Sequence, residues 1–314
     1  MKPVIYLVIP CYNEEEVLPE TSKRVLNKLT RMSEAGLVSD QSRIVFVDDG
    51  SRDATWQLIE SYHAENPHFL GLKLAHNRGH QHALLAGLLE VRNHCDATIS
   101  MDADLQDDIE VLDDFVRKYL DGCEIVYGVR KARNTDTVFK RSSAHAFYRV
   151  MNSLGVQSIP DHADYRLMSR RALEALSSYR EVNLYLRGIV PSIGYKTDIV
   201  YYERAERFAG ESKYPLKKML ALAIDGITSF SIKPLELIFS AGVLICFLSV
   251  LALLYGLLAA IFSWPAAGIV SLIGCFYFLG GLLMISTGIV GVYVGKTYQE
   301  AKDRPRYIIE KELL

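Results

Sequence analysis

No excess of either charge sign marks this 314-residue chain: 35 Lys and Arg face 37 Asp and Glu, a net charge of −2. That balance argues against general nucleic-acid binding, which needs a basic surface. There is no G-x-G-x-x-G turn and no Walker A loop, so dinucleotide and ATP readings lose support. The five cysteines, Cys11, Cys95, Cys123, Cys246 and Cys275, form no CxxC pair and no zinc-like cluster with histidine. Reduced thiols in a cytosol-facing domain are the simplest expectation. The first apolar run, Val4–Ile9, is too short for a signal peptide and ends at Pro10. The most informative absence is local. From Leu237 to Gly295 there is not one Asp, Glu, Lys or Arg.

That uncharged tract splits at Ser263-Trp264-Pro265 into 237–262 and 266–294. Each half exceeds the roughly 20 helical residues that cross a bilayer core. Two spans with a short link make a hairpin whose ends lie on one side. Lys213, Lys217, Lys218 and Lys233 precede it and Lys296, Lys302, Arg304 and Arg306 follow, while the link is uncharged. The positive-inside rule then places the large N-terminal domain and the tail, 296–314, in the cytoplasm, on a multi-pass protein of the inner or plasma membrane. The stretch 216–234 mixes lysines with Leu, Met, Ile and Phe, and is expected to lie along the membrane surface.

Ahead of the tract, short apolar runs alternate with helical patterns. Strands are expected at Val4–Ile9, Ile44–Asp48, Leu70–Leu74, Ala97–Asp102 and Glu124–Gly128, with helices near 14–34, 53–65, 79–93 and 108–121. Uninterrupted apolar strands suggest burial on both faces, hence an α/β fold with a mainly parallel sheet. Residues 140–215 read as less regular, with helices at 144–154 and 169–178 and a strand at 197–202. In open parallel sheets ligands bind beyond the carboxyl ends of the strands. Four polar clusters fall there: Pro10-Cys11-Tyr12-Asn13-Glu14, Asp48-Asp49-Gly50-Ser51, Asn77-Arg78-Gly79-His80 and Asp102-Ala103-Asp104.

Asp102 and Asp104 suit Mg²⁺ or Mn²⁺, which take oxygen ligands and complete their shell with phosphates and water. Such an ion offsets charge on a nucleoside-diphosphate leaving group. Gln106 and Asp107 either orient the donor or cap the helix that starts near Asp108. Asp48 or Asp49 can bond a nucleobase or ribose, with capping of the Gly50-Ser51 turn as the alternative. His80 and His82 point apart on a helix start and are expected to pack or bond locally.

Taken in order, Val8-Ile9-Pro10-Cys11-Tyr12-Asn13-Glu14-Glu15, Val47-Asp48-Asp49-Gly50-Ser51-Arg52-Asp53, Asn77-Arg78-Gly79-His80 with Ala86-Gly87-Leu88, and Asp102-Ala103-Asp104-Leu105-Gln106-Asp107 resemble the family 2 glycosyltransferases of GT-A, Rossmann-like fold. The runs Asp161–Arg170 and Glu203–Pro215 fit the same pattern. With the two-helix tail, the chain is most similar to the polyisoprenyl-phosphate glycosyltransferases, which include bactoprenol glucosyltransferases and dolichyl-phosphate mannose synthases. Tyr165 stands where relatives often have Phe, and Ala163 where many have Gly. The Q-x-x-R-W motif of processive synthases is missing.

The resemblance implies a catalytic domain over 1–215, a membrane hairpin within 235–295, and inverting transfer from a UDP- or GDP-sugar to a polyprenyl phosphate such as undecaprenyl phosphate. UDP is favoured. Pro10, Tyr12, Glu14, Asp49 and Ser51 would line the nucleoside site, Asp102 and Gln106 the donor, and Asp102 and Asp104 the metal. The acceptor is already an oxyanion and needs cations to hold it beside an anionic donor. Arg130, Arg133, Arg204, Arg207 and Lys213 are the candidates. Asp164 is the family-like general base, with Asp161 as its competitor. If the nucleophile is already ionised, Asp164 orients Arg166 or a loop cation instead. Rival readings are transfer to another lipid or a glycan, and a non-catalytic membrane scaffold that binds a sugar nucleotide. Glycines from Gly280 to Gly295 allow close helix packing, within a chain or between chains, and the lipid-facing surface of a small hairpin leaves room for a dimer or tetramer.

Overall fold

The structure is a computed structural model that describes residues 2–131, 162–182, 184–203, 233–261 and 269–314. The chain divides into two compact units. One comprises Met1–Tyr148, Gln157–Pro215 and Arg304–Leu314; the other, Arg149–Val156 and Leu216–Asp303.

The first unit is an α/β sandwich around an eight-stranded sheet. Its elements run β1 (Ile5–Cys11), α1 (Leu18–Glu34), β2 (Arg43–Asp48), α2 (Thr55–Glu65), β3 (Phe69–Leu74), α3 (His80–Val91), β4 (Ala97–Ser100), α4 (Leu112–Leu120), β5 (Ile125–Arg130), β6 (His162–Ser169), α5 (Arg170–Ser177), α6 (Leu186–Ser192), β7 (Thr197–Tyr202) and, after the second unit, β8 (Ile309–Leu313). The strand order is β7-β5-β6-β4-β1-β2-β3-β8. β3, β2, β1 and β4 are parallel, the Rossmann-like half that the apolar runs predict. β1, β2 and β4 are almost wholly buried, and Leu7, Ile9, Ile44, Phe46 and Ile99 join the main core.

The sheet is mainly parallel, as expected, with two strands running the other way. β6 runs antiparallel to both β4 and β5, and β8 runs antiparallel to β3. β6 falls in the segment read as less regular, because Asp164 and Arg166 sit on it as buried, mutually paired charges. Asp164 and Arg166 interrupt the continuous apolar run that marks the other buried strands. The end of the stretch read as a tail, 296–314, forms an edge strand, with Lys311 opposite Lys73. Helix α6 was not expected from the sequence. The expected helix at 144–154, the loop over 204–215 and the interfacial stretch over 216–232 lie outside the described residues.

Two glycines set how closely the layers approach. Gly87 faces β1 and β2 from α3, and an added Cβ would stand 2.5 Å from Val8 Cγ1 and 2.6 Å from Val47 Cγ2. Gly50 turns the chain after β2 at φ +67°, with the backbone of His76 and Asn77 under 3.0 Å from any Cβ.

The second unit holds α7 (Lys233–Ile261) and α8 (Ile269–Ala301). Both expected apolar segments are therefore helical, and α8 runs on past the expected end at 294. Among the described residues one stretch, Phe278–Ala301, is long and apolar enough to cross a membrane, and none of it is buried. Phe278, Leu283, Met284 and Ile285 stand exposed along it.

Candidate active site

The loops at the carboxyl ends of β1, β2 and β3 are stitched to one another. Ser51 Oγ accepts a bond from Asn13 N–H at 2.9 Å, and Asn13 Oδ1 accepts from Arg52 N–H at 2.9 Å. Thr55 Oγ1 accepts from Glu14 N–H at 2.9 Å. These bonds hold Asn13 in a left-handed conformation, φ 51°. Asp49 then joins β2 to the third loop: its two carboxylate oxygens accept from Arg78 N–H at 2.7 Å and Gly79 N–H at 2.9 Å. Burial raises its pKa, against those two bonds. Asp49 and Ser51, expected to meet the nucleoside, thus also hold the loops that would form its walls. Pro10 lies buried in β1, in register with Val47, and Tyr12 is half-buried beyond it. Asp48 is fully buried; its Oδ1 accepts from Ser51 N–H at 3.1 Å, and its Oδ2 has no hydrogen-bond partner among the described residues.

Asp49 fixes Gly79, and Gly79 precedes His80 at the start of α3. His80 Nε2 lies 3.5 Å from Asp102 Oδ1 and 3.7 Å from Asp164 Oδ2. The histidine expected only to pack or bond locally therefore stands between the two acidic motifs. Asp102 follows β4. Ala103 carbonyl accepts from Thr21 Oγ1 at 2.7 Å, Leu105 takes φ 57°, and Asp104 Oδ1 accepts from Gln106 N–H at 3.2 Å. The helix after this turn is capped by Asp108, whose Oδ1 accepts from Glu110 N–H, rather than by Gln106 or Asp107.

Asp107 instead turns inward. Its Oδ1 accepts from the Tyr202 hydroxyl at 2.6 Å, and Arg130 Nη2 lies 3.6 Å away. Arg130 Nε donates to the same Tyr202 oxygen at 3.1 Å. Burial, and then the nearby Asp102 charge, push Asp107 up to about 6. Arg130, at the end of β5, is thus anchored beside the acidic run.

Asp164 sits on β6 with its side chain 10% exposed. Arg166 Nη2 donates to its Oδ1, and Arg187 reaches both of its oxygens, with Nη2 3.1 Å from Oδ2 and Nε 3.4 Å from Oδ1. Burial alone would raise this carboxyl, but Arg187, Arg166 and His80 outweigh it and hold it well below the usual carboxylate range. Such a carboxylate is a weak proton acceptor. Asp164 is paired with both Arg166 and Arg187.

Donor chemistry decides what ion fits. Among the described residues no three His, Cys, Asp or Glu side chains are grouped to hold a metal. Asp102 and Asp104 offer hard oxygens only, and Asp102 is partly exposed. That set fits Mg²⁺ or Mn²⁺ carried in with substrate phosphates, not a metal caged by protein alone. An open cleft of about 790 Å³ runs along α1 past Arg24, Asn27 and Arg31 to Asp107 and Glu203, but Asp102, His80, Asp164 and Arg187 do not line it. Its arginines are ion-paired, Arg24 with Glu20 and Arg31 with Glu110. Asp161, Arg133, Arg204, Arg207 and Lys213 lie outside the described residues.

Residues 6–177 match the model of the family described as glycosyl transferase family 2. The chain belongs to that family. It is 51% identical over 312 residues to YkoT of Bacillus subtilis (strain 168), an uncharacterized glycosyltransferase, covering 99% of this chain and 93% of that one. It is 40% identical over 312 residues to the prophage bactoprenol glucosyl transferase homolog of Escherichia coli (strain K12), covering 98% of each. Among solved structures, the TarS 1–349 fragment of S. aureus in complex with UDP-GlcNAc aligns with a TM-score of 0.46 and 17% identity over 72% of this chain and 66% of that one. The glycosyltransferase assignment rests on the family match and the full-length relatives.

His80, Arg187 and Tyr202 are the site residues that sequence reasoning missed. Asn77-Arg78-Gly79-His80 was recognised as a motif, yet nothing in its spacing points His80 at Asp102. Arg187 and Tyr202 carry no local signal.

Proposed function

We propose that this glycosyltransferase moves a hexose from a UDP-sugar to a polyprenyl phosphate, undecaprenyl phosphate being the natural candidate, with inversion and with Mg²⁺ or Mn²⁺. The likeness to a bactoprenol glucosyl transferase homolog carries this reading, because it spans 98% of the chain and so includes the uncharged tract as well as the catalytic unit. On this reading 1–215 is catalytic, 216–234 lies at the interface, and α7 joins α8 as a second span within 235–295. The unit bearing the site faces the cytoplasm.

An oxygen of the acceptor monophosphate attacks the anomeric carbon as the bond from that carbon to the donor diphosphate breaks, and UDP leaves. The nucleophile is already ionised, so no base has to remove a proton. This chain's residues bind and orient. Pro10, Tyr12, Glu14, Asp49 and Ser51 frame the nucleoside, and Gln106 the sugar or diphosphate. Arg130, held by Tyr202 and Asp107, faces the phosphates. Arg133, Arg204, Arg207 and Lys213 supply further cations. Asp102 and Asp104 would hold the metal, which offsets charge on the leaving diphosphate. Dimers or tetramers would form through α8, where an added Cβ at Gly280, Gly281, Gly288, Gly291 or Gly295 meets nothing within 4 Å.

The test is to incubate full-length protein in lipid vesicles with undecaprenyl phosphate, Mg²⁺ or Mn²⁺ and a panel of radiolabelled UDP- and GDP-sugars. Label is expected in an extractable lipid phosphate with one UDP-sugar, and is expected to vanish with EDTA. Label in diacylglycerol, ceramide or a glycan, with none in undecaprenyl phosphate, overturns the acceptor assignment.

A further inference from the structure

Around Asp164 one carboxylate is bonded by two guanidiniums, Arg166 and Arg187. Arg166 is 1% exposed and can present its charge to nothing outside the protein. Arg187 has a side chain 37% exposed. Its Nε and Nη2 are taken by Asp164, while its Nη1 has no protein partner among the described residues. The Asp164 carboxylate first, and then that of Asp102, favour its charged form. A partly buried guanidinium with one free edge is arranged to take an anion.

Its position is fixed as well as its charge. Leu186 N–H donates to Gln81 Oε1 at 2.8 Å, and Leu186 carbonyl accepts from Arg166 Nη1 at 3.4 Å. Gln81 adjoins His80 on α3, and His80 touches both Asp102 and Asp164. The backbone carrying Arg187 is therefore tied to the element that borders the acidic pair. Asp164 on one side holds the guanidinium in a fork, so little rotamer freedom remains to be lost when an anion arrives.

We propose that Arg187 is a substrate-binding cation of this site and takes a phosphate oxyanion, either from the nucleotide donor or from the lipid acceptor. Asp164 and Gln81 are its positioning residues. This rests on the family's sugar-nucleotide chemistry and deepens the function proposed above.

Full-length protein in detergent is compared as wild type, Arg187→Ala and Arg187→Lys. One arm measures binding of UDP with Mg²⁺ and, separately, of uridine. The other measures KM for undecaprenyl phosphate at saturating donor. Arg187→Ala is expected to weaken UDP binding or raise the acceptor KM by about 10- to 100-fold, the size of a lost charge-assisted bond. Arg187→Lys should recover part of the loss, with uridine binding unchanged. A shift in the UDP arm assigns the donor phosphates; a shift in the KM arm alone assigns the acceptor. If the protein transfers to no polyprenyl phosphate, the acceptor assignment of the previous section fails, and the UDP-against-uridine comparison alone decides Arg187. Unchanged UDP binding and unchanged acceptor KM overturn the proposal. So does a parallel loss of uridine and UDP binding, which marks a structural residue.

Discussion

At the scale of single residues, carboxylates of one site carry different tasks because their surroundings differ. Asp102 is partly exposed beside His80, whereas Asp164 is almost enclosed by two arginines. Replacing Asp102 or Asp104 by Asn is expected to cut transfer by about 100-fold or more, the size of several kcal/mol of lost leaving-group stabilisation. Initial rates across a Mn²⁺ titration would also show a raised metal requirement. Asp164→Asn should behave differently. Removing its charge strands two guanidiniums, of which Arg166 is buried, and is expected to lower stability by about 3 kcal/mol or more. The folded pKa of Asp164 is depressed, so its stabilisation is complete above the unfolded value near about 4 and is lost as pH falls below it. The melting temperatures of wild type and Asp164→Asn should therefore lie furthest apart at neutral pH and converge in acid; a constant gap would rule out the ion pairs as its cause. The acidic run was legible as a cluster because it follows an apolar strand, β4. His80, Arg187 and Tyr202 were not, because their roles come from contacts between segments far apart in the chain.

At the scale of elements, legibility followed burial. β1, β2 and β3 are apolar runs covered on both faces, and their expected bounds differ from the observed ones by no more than two residues at either end. β6 escaped because its interior is an ion-paired cluster. β8 escaped because Ile309-Glu310-Lys311-Glu312-Leu313 is a half-exposed edge whose charges meet neighbours, Glu310 with Lys73 and Lys311 with Glu60. Charged edges of this kind also protect a sheet from pairing with other chains. The fit of α3 on the sheet is the tightest such contact and gives a direct test. Gly87→Ala would place a methyl 2.5 Å from Val8 Cγ1. It is expected to destabilise the fold by about 1 to 3 kcal/mol, as overpacking does. Urea unfolding should show a lower midpoint with an unchanged slope. Because α3 begins at His80, the same substitution should also raise the KM for donor.

At the scale of the whole molecule, the chain leaves the catalytic unit, builds α7 and α8, and then returns to it. The return is anchored: β8 pairs with β3, Ala75 N–H bonds the carbonyl of Ile308 at 2.9 Å, and Arg306 Nη1 donates to Tyr179 carbonyl at 2.7 Å. A protein cut off after about residue 215 therefore loses more than a membrane attachment. It loses an edge strand, and β3 would be left as an open edge prone to pairing with other chains. Failure of that truncation would say nothing about the role of the helices. The informative variant replaces 216–303 by a long Gly/Ser linker and keeps Arg304–Leu314. Its melting temperature is expected to stay close to that of a full-length protein in detergent, while deletion of 304–314 from the same variant should lower it and promote aggregation. If the helices serve to hold the site at the level of a lipid phosphate, the linker variant should still use a short, water-soluble prenyl phosphate. It should lose most transfer to undecaprenyl phosphate in vesicles. Equal rates on both acceptors would reduce the helices to a tether.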